Sequence, residues 1–168
     1  DEYDTTQAMF ESVYPMVTVG AACKALFGVG FETAPVLEGG TTEFGTSNDR
    51  SLTAVVASAA DETAATSLYT MLEAAVAECV KDPKVTFQGD PVEATVEQTA
   101  SNATGVDAAD GVRLTATISG VTTHVVGEFA RTGNDVIAVV GWDPATNDAN
   151  VPTATQMFVD RVSAATGD

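Results

Sequence analysis

The side chains of this chain that could do chemistry are few, and three of them share one predicted sheet face. His124 is the only histidine, so a histidine-based catalytic triad or metal site would have to use it. Arg113 and Glu128 are predicted to lie on the same face, where all three side chains could contact a ligand. No Gly-x-Ser-x-Gly, His-Glu-x-x-His or Ser-x-x-Lys motif accompanies them. We therefore predict no catalytic residues, and we weigh a ligand contact by Arg113, His124 and Glu128 against an ordinary sheet-surface role.

The two cysteines, Cys23 and Cys79, are the next reactive groups. A structural zinc site needs four ligands and a redox pair needs Cys-x-x-Cys, and neither pattern is present. We predict one disulfide, which would close a long loop and stabilise the fold by roughly 4 kcal/mol. The alternative is two buried free thiols, as in many cytosolic proteins.

Metal and phosphate sites are not predicted. The segment DPATNDAN, residues 143–150, offers carboxylate and amide oxygens, but its spacing misses the EF-hand loop, so a turn and helix cap explains it better than calcium. The glycine-containing stretches GVGFE and EGGTTEFG lack the lysine and the strand-to-helix setting of a phosphate loop. We therefore expect no cofactor.

The net negative charge of the chain disfavours two classes of partner. The formal net charge is -17, from 24 acidic and 7 basic residues. Nucleic acids and anionic membranes are bound through clustered Lys and Arg, so both are disfavoured. Abundant Ala, Thr, Val and Asp with scarce Lys is typical of secreted actinobacterial proteins or of halophiles. The length of 168 residues predicts one domain, residues 1–168.

Hydrophobic periodicity predicts the elements of the first half. Two short helices are expected, Thr6 to Tyr14 and Thr18 to Phe27, followed by a short strand in EFGTS. A strand over Leu52 to Ala57 leads into a long helix, with Ser58 and Asp61 as a capping box. That helix carries an inward stripe of apolar residues at helical spacing: Ala64, Leu68, Met71, Leu72, Ala75 and Cys79.

The sequence pattern of the second half predicts strands and one helix. Short strands are predicted over residues 85–88 and 92–96, joined by a turn at 89–91 and followed by a polar loop over residues 98–111. A meander follows over residues 112–118, 121–131 and 136–142, with two-residue turns. The meander predicts the cross-strand pairs Ile118 with Val121, Phe129 with Ala138, Gly127 with Val140 and Val125 with Trp142.

The face carrying His124 is only half polar, so a helix or a ligand must cover part of it. A last helix is predicted from Pro152, with an apolar face of Ala154, Met157, Phe158, Val162 and Ala165. The whole order predicts an α+β fold, a twisted antiparallel sheet flanked by helices.

These elements resemble the PknH-like extracellular sensor domain of actinobacteria, found outside receptor-type Ser/Thr kinases and as free-standing envelope lipoproteins. The residues that carry the resemblance are SAADETAATSLYTMLEAAVAEC, a helix ending on Cys79, and the return strand RTGNDVIAVV. The resemblance covers most of the chain and implies an extracytoplasmic, non-enzymatic domain with a ligand cleft beside its sheet. The Mog1/PsbP-like sandwich of other actinobacterial lipoproteins is a related alternative.

We therefore predict a sensing or ligand-binding domain of the cell envelope, secreted or anchored. The chain begins Asp-Glu rather than Met, and we expect an export signal or anchor to precede Asp1. The expected partner is a small molecule, lipid or glycan, or an envelope protein. A structural module that docks or self-associates through the half-apolar face is the alternative, and a hydrolase is the lesser one.

Overall fold

The structure is a computed structural model that describes residues 17–20, 23, 42–46, 52–141 and 147–166. Within these residues the chain forms short and long strands and two long helices. The strands are β1 (Val17–Thr18), β2 (Thr42–Thr46), β3 (Leu52–Ser58), β4 (Thr86–Phe87), β5 (Asp90–Pro91), β6 (Glu93–Ala100), β7 (Ala108–Ile118), β8 (Val121–Thr132) and β9 (Asp135–Gly141). The helices are α1 (Glu62–Lys81) and α2 (Asn147–Thr166).

Six strands form one antiparallel sheet in the order β2-β3-β9-β8-β7-β6. The predicted fold class, an antiparallel sheet flanked by helices, is confirmed. Three predicted cross-strand pairs are also confirmed, Ile118 with Val121, Phe129 with Ala138 and Gly127 with Val140. The predicted pairing of Val125 with Trp142 involves a residue outside those that the structure describes.

The turn between β7 and β8 explains why this register could be predicted. Ser119 and Gly120 both have positive φ, 52° and 80°. Two consecutive left-handed residues make the tight turn whose twist matches a β-hairpin. The flanking residues are therefore paired directly, and the register of the rest of the hairpin follows.

The strand β7 begins at Ala108, earlier than the predicted residue 112. The strand β6 likewise extends to Ala100, so the predicted polar loop over residues 98–111 is reduced to residues 101–107. Cross-strand pairing overrides the polar composition here, because each of these residues faces a partner on the next strand, as Asp110 faces Phe129.

The helix α1 begins differently from the prediction. Its N-cap is Asp61, whose carboxylate accepts a hydrogen bond from the Ala64 amide at 2.8 Å. Ser58 ends β3 and donates to Asp135 instead, so the predicted Ser58 capping box is wrong. A carboxylate at the N-cap satisfies a free amide and complements the helix dipole, and it needs no second side chain to form a capping box.

The buried stripe of α1 is rotated slightly from the predicted one. Leu68, Leu72 and Cys79 are buried as expected, but Met71 is 39% exposed. Ala65, Tyr69 and Val76 are buried in place of Ala64, Met71 and Ala75. The stripe therefore takes the bulky aromatic side chain of Tyr69 into the core.

One core lies between α1 and the sheet, where the helix contacts β6, β8 and β9. It includes the confirmed disulfide between Cys23 and Cys79, whose Cα atoms are 4.9 Å apart, within the range that a bridge requires. Both cysteines are completely buried. The bridge ties the region of Cys23, 56 residues away in sequence, to the last turns of α1.

A second core lies on the opposite face of the sheet, beneath α2, which contacts β3, β8 and β9. A helix, rather than a ligand, therefore covers the half-apolar face. The helix begins at Asn147, five residues before the predicted start at Pro152. Val151 and Val159 are fully buried, whereas Met157, predicted to face inward, is 43% exposed.

Three short strands form a separate small sheet in the order β1-β4-β5. The predicted helix from Thr18 is wrong at its start, because Val17 and Thr18 pair with Phe87 and Thr86. Residues 90–91, predicted as a turn, form β5 instead, since the turn lies at Gln88 and Gly89 with φ of 53° and 89°. The predicted helix over Thr6 to Tyr14 lies outside the described residues.

Candidate functional site

The first candidate site is the basic pair Arg113 and His124, on neighbouring strands of the face that α2 covers. Arg113 faces Val126 across the ladder, so His124 is its diagonal neighbour. Asp148, in the first turn of α2, reaches down to both. Its Oδ1 lies 2.5 Å from Arg113 Nη2 and 3.9 Å from His124 Nε2. Sheet and helix thus bring two basic groups and one carboxylate together.

This basic pair is reachable from solvent. The side chains of Arg113 and His124 are 36% and 23% exposed, and that of Asp148 is 61% exposed. The cluster lies where α2 starts, at the edge of the predicted ligand-binding face. Asp148 is the residue that sequence reasoning missed as a partner here, because it was considered only as a calcium ligand or helix cap.

Glu128, the third predicted ligand-binding residue, lies beneath α2 and is 5% exposed. Burial raises the pKa of its carboxyl, and hydrogen bonds from Thr155 and Ser101 offset part of that increase. Its Oε2 has no hydrogen-bond partner among the described residues. The structure therefore separates Glu128 from the more exposed Arg113 and His124, and a ligand could reach it only if α2 moved.

The Thr155 hydroxyl has two possible hydrogen-bond acceptors, the Val151 carbonyl within α2 and the Glu128 carboxylate beneath it. Thr155 is completely buried and donates to the Val151 carbonyl at 2.9 Å. A hydroxyl has one proton, so it cannot donate to Val151 and to Glu128 together. A neutral Glu128 carboxyl can donate to Thr155 and leave the Val151 bond intact, whereas an ionised one competes for the same proton.

A second polar group lies within the core on the other face of the sheet. The Tyr69 hydroxyl donates to Asp110 Oδ2 at 2.7 Å, and Gln98 Nε2 donates to Asp110 Oδ1 at 3.2 Å. The Tyr69 ring packs against Phe129, with centroids 5.4 Å apart. Burial and the bond to Asp110 raise the pKa of the tyrosine, so it stays a neutral donor. The spacing of apolar residues along α1 gives no sign of this hydrogen bond.

We expect Tyr69→Phe to lower the free energy of unfolding by about 1 kcal/mol, because the ring contact remains while half-buried Asp110 loses a donor. Urea denaturation measures this change. A double-mutant cycle with Asp110→Ala should give a coupling energy of similar size. If the Phe variant is as stable as the wild type, the hydrogen bond contributes nothing.

An open cleft of about 590 Å³ lies at the opposite end of the sheet from the basic pair. It is bounded by the loop of residues 101–107, the β8–β9 turn and α2. Gln156 holds this loop, since its Oε1 accepts from the Thr104 amide at 2.8 Å and its Nε2 donates to the Thr104 carbonyl at 3.2 Å. The acidic lining residues are Glu62, Asp107 and Asp160. The cleft is therefore a second candidate ligand site, lined by acidic side chains instead of basic ones.

The described residues contain no group of three or more His, Cys, Asp or Glu side chains placed to hold a metal ion. Of the segment DPATNDAN, residues 143–146 lie outside the described part of the chain. Asp148 within it is engaged by Arg113. Trp142, the only tryptophan of the sequence, also lies outside the described residues.

The fold defines the protein as an α+β domain in which one antiparallel sheet lies between two helices. A solved structure of this kind is the extracellular domain of PknH from Mycobacterium tuberculosis, with a TM-score of 0.52 and 14% sequence identity. The match covers 86% of this chain and 78% of that one. No protein-family model and no curated protein matches the sequence. At this identity the likeness establishes the fold alone.

Neither helix in the described part of the chain combines the length and the hydrophobicity that crossing a bilayer requires.

Proposed function

We propose that this chain is a non-enzymatic, extracytoplasmic sensing or ligand-binding domain of the cell envelope. The observation that carries the proposal is the shared fold with the extracellular domain of PknH. The Cys23–Cys79 disulfide supports the same location, because disulfides form and persist in oxidising compartments. The resemblance of the α1 segment to actinobacterial sensor domains points the same way.

The ligand site that we propose is the basic pair at the start of α2. Arg113 and His124 are partly exposed there, and two neighbouring basic side chains contrast with the acidic composition of the chain. A small polar or anionic group of an envelope metabolite, lipid or glycan is the kind of ligand that such a pair can orient. Glu128 would join the site only in a state in which α2 is displaced.

Docking of a protein through the half-apolar sheet face is supported less well. The apolar residues of that face are buried under α2: Ala54, Val56, Val126, Ala130, Ile137 and Val139. The surface on which the docking hypothesis depends is therefore already used within the chain. A hydrolase is also less well supported, since both thiols are joined in the disulfide.

A thermal-shift screen of envelope lipids, glycans and small metabolites tests the proposal. Any ligand that binds the folded state alone raises the melting temperature, and the stabilisation grows with the logarithm of the ratio of its concentration to its Kd. We expect at least one compound to do so in the wild type and to lose most of its effect in Arg113→Gln. A complete screen without any stabilising compound would contradict a ligand-binding function.

A further inference from the structure

Two neighbouring basic side chains are unusual in this chain, which has 24 acidic and 7 basic residues. The net charge of -17 disfavours binding of anions over most of the surface. Arg113 and His124 nevertheless place two basic side chains on neighbouring strands, near the same oxygen of one carboxylate. The position of Asp148 shows that the local arrangement accommodates an anionic group.

The contact that Asp148 makes is easily exchanged. Ion pairs between partly exposed side chains contribute only about 0–1 kcal/mol to stability. The side chain of Asp148 is 61% exposed, and Asp148 lies in the first turn of α2 rather than in a strand of the sheet. Replacing its carboxylate on Arg113 with another oxyanion therefore costs little.

An incoming oxyanion could make as many hydrogen bonds to Arg113 as Asp148 makes, or more. The carboxylate of Asp148 places one oxygen, Oδ1, near both basic groups. A carboxylate or phosphate that is free to orient can pair with a guanidinium through two parallel hydrogen bonds. The geometry around Arg113 therefore suits exchange of an internal anion for an external one.

We propose that Asp148 is an internal competitor for an oxyanion group, carboxylate or phosphate, of the ligand, and that the ligand binds Arg113 and His124 by displacing it. This inference rests on the proposed ligand-binding function and names the chemical class of the ligand. Release of Asp148 removes the ion pair that joins the start of α2 to β7, while buried Val151 keeps this part of the helix packed on the sheet.

Calorimetric or NMR titration with inorganic phosphate and with acetate, at constant ionic strength, tests the proposal. Asp148→Asn should bind the better of the two anions about threefold to tenfold more tightly than the wild type, because the competitor is gone. Arg113→Gln should bind at least tenfold more weakly. The fold should survive both substitutions, since the side chains are partly exposed, and a melting curve of each variant verifies this.

Two matched controls separate this site from a general charge effect. Asp90→Asn removes the same charge from an exposed position on β5, and Arg161→Gln removes an exposed arginine from α2. Both should bind as the wild type does. Equal gains from Asp148→Asn and Asp90→Asn, or equal losses from Arg113→Gln and Arg161→Gln, would overturn the inference.

The outcome also distinguishes this inference from the proposed function. A screened compound that stabilises the wild type and Arg113→Gln equally would overturn the oxyanion site and leave a sensing role intact. Anion binding that follows the predicted order, without any stabilising envelope compound, would support the site and contradict the broader function. No detectable binding of either anion to Asp148→Asn would also overturn the inference.

Discussion

Replacing both cysteines by alanine should lower the free energy of unfolding by about 4 kcal/mol, the largest effect expected of any change described here. The bridge closes a loop of 56 residues in the unfolded chain, and removing it restores that lost entropy to the unfolded state. For a chain of this length the melting temperature should fall by about 10 °C. Denaturation of the Cys23→Ala/Cys79→Ala variant in urea measures the change.

The control for this prediction is Val80→Ala, one position further along α1, where the side chain is 40% exposed. That variant should differ from the wild type by less than about 0.5 kcal/mol. Reduced wild-type protein should resemble the double alanine variant, apart from the packing of two sulfur atoms. A double variant within about 1 kcal/mol of the oxidised protein would show that the bridge is not a main source of stability.

The second large effect is a stabilisation, which we expect from Glu128→Gln at neutral and alkaline pH. Glu128 is 5% exposed and its Oε2 has no partner among the described residues, so its ionised form is costly in the folded protein. A glutamine of the same shape carries no charge and can donate to Thr155 and Ser101. The gain should be about 2 kcal/mol once Glu128 is fully ionised.

The direction of the pKa shift of Glu128 determines at which pH the substitution stabilises the protein. Burial raises the pKa of Glu128 in the folded state above that of the unfolded chain, so the folded protein binds this proton more tightly. Its contribution to stability is greatest below the unfolded pKa and is lost as the pH rises through the raised folded pKa. The variant should therefore match the wild type at low pH and exceed it increasingly above that range.

Glu93→Gln provides the matched control, because Glu93 is exposed on β6 opposite the uncharged Thr117 and the same charge is removed. Its stability should stay parallel to that of the wild type across the pH range, aside from a small gain from reduced repulsion. His124, Arg113 and Asp148 are retained in all three proteins, so their contributions cancel. If Glu128→Gln is less stable than the wild type at pH 8, the ionised carboxylate is satisfied in a way that the described contacts do not show.

Local patterns were enough to predict the sheet and the disulfide. The alternation of Val, Ile and Thr in β8 and β9, together with two-residue turns, determines which residues face one another. The inward position of Cys79 follows from its helical spacing to Leu68 and Leu72. The half-polar face carrying His124 also predicted correctly that another element would cover part of it.

The errors have a common physical cause, which is that tertiary contacts decide between local alternatives. Ser58 and Asp61 are both good N-caps, and Ser58 is used instead to hold Asp135 on the neighbouring strand. Thr18 is predicted to start a helix, yet Val17 and Thr18 pair with β4, which is far away in sequence. Such long-range partners leave no periodic signal in either segment.

The candidate site could be predicted only in part for the same reason. Strand alternation placed Arg113, His124 and Glu128 on one face, and the structure agrees with that placement. Which of them stays accessible depends on where α2 crosses the sheet, and this is set by the packing of Val151 and Val159. The pairing of Asp148 with Arg113 follows from that packing and has no signature in the sequence.

The most direct test of the central claim, ligand binding by Arg113 and His124 where α2 begins, is amide chemical-shift mapping. Inorganic phosphate and the compound with the largest thermal shift are titrated into labelled protein. We predict that the largest changes fall around Arg113, His124 and Asp148, with smaller changes along the first turns of α2. Changes confined to the acidic cleft around Thr104 and Asp160, or none with any compound, would contradict the claim.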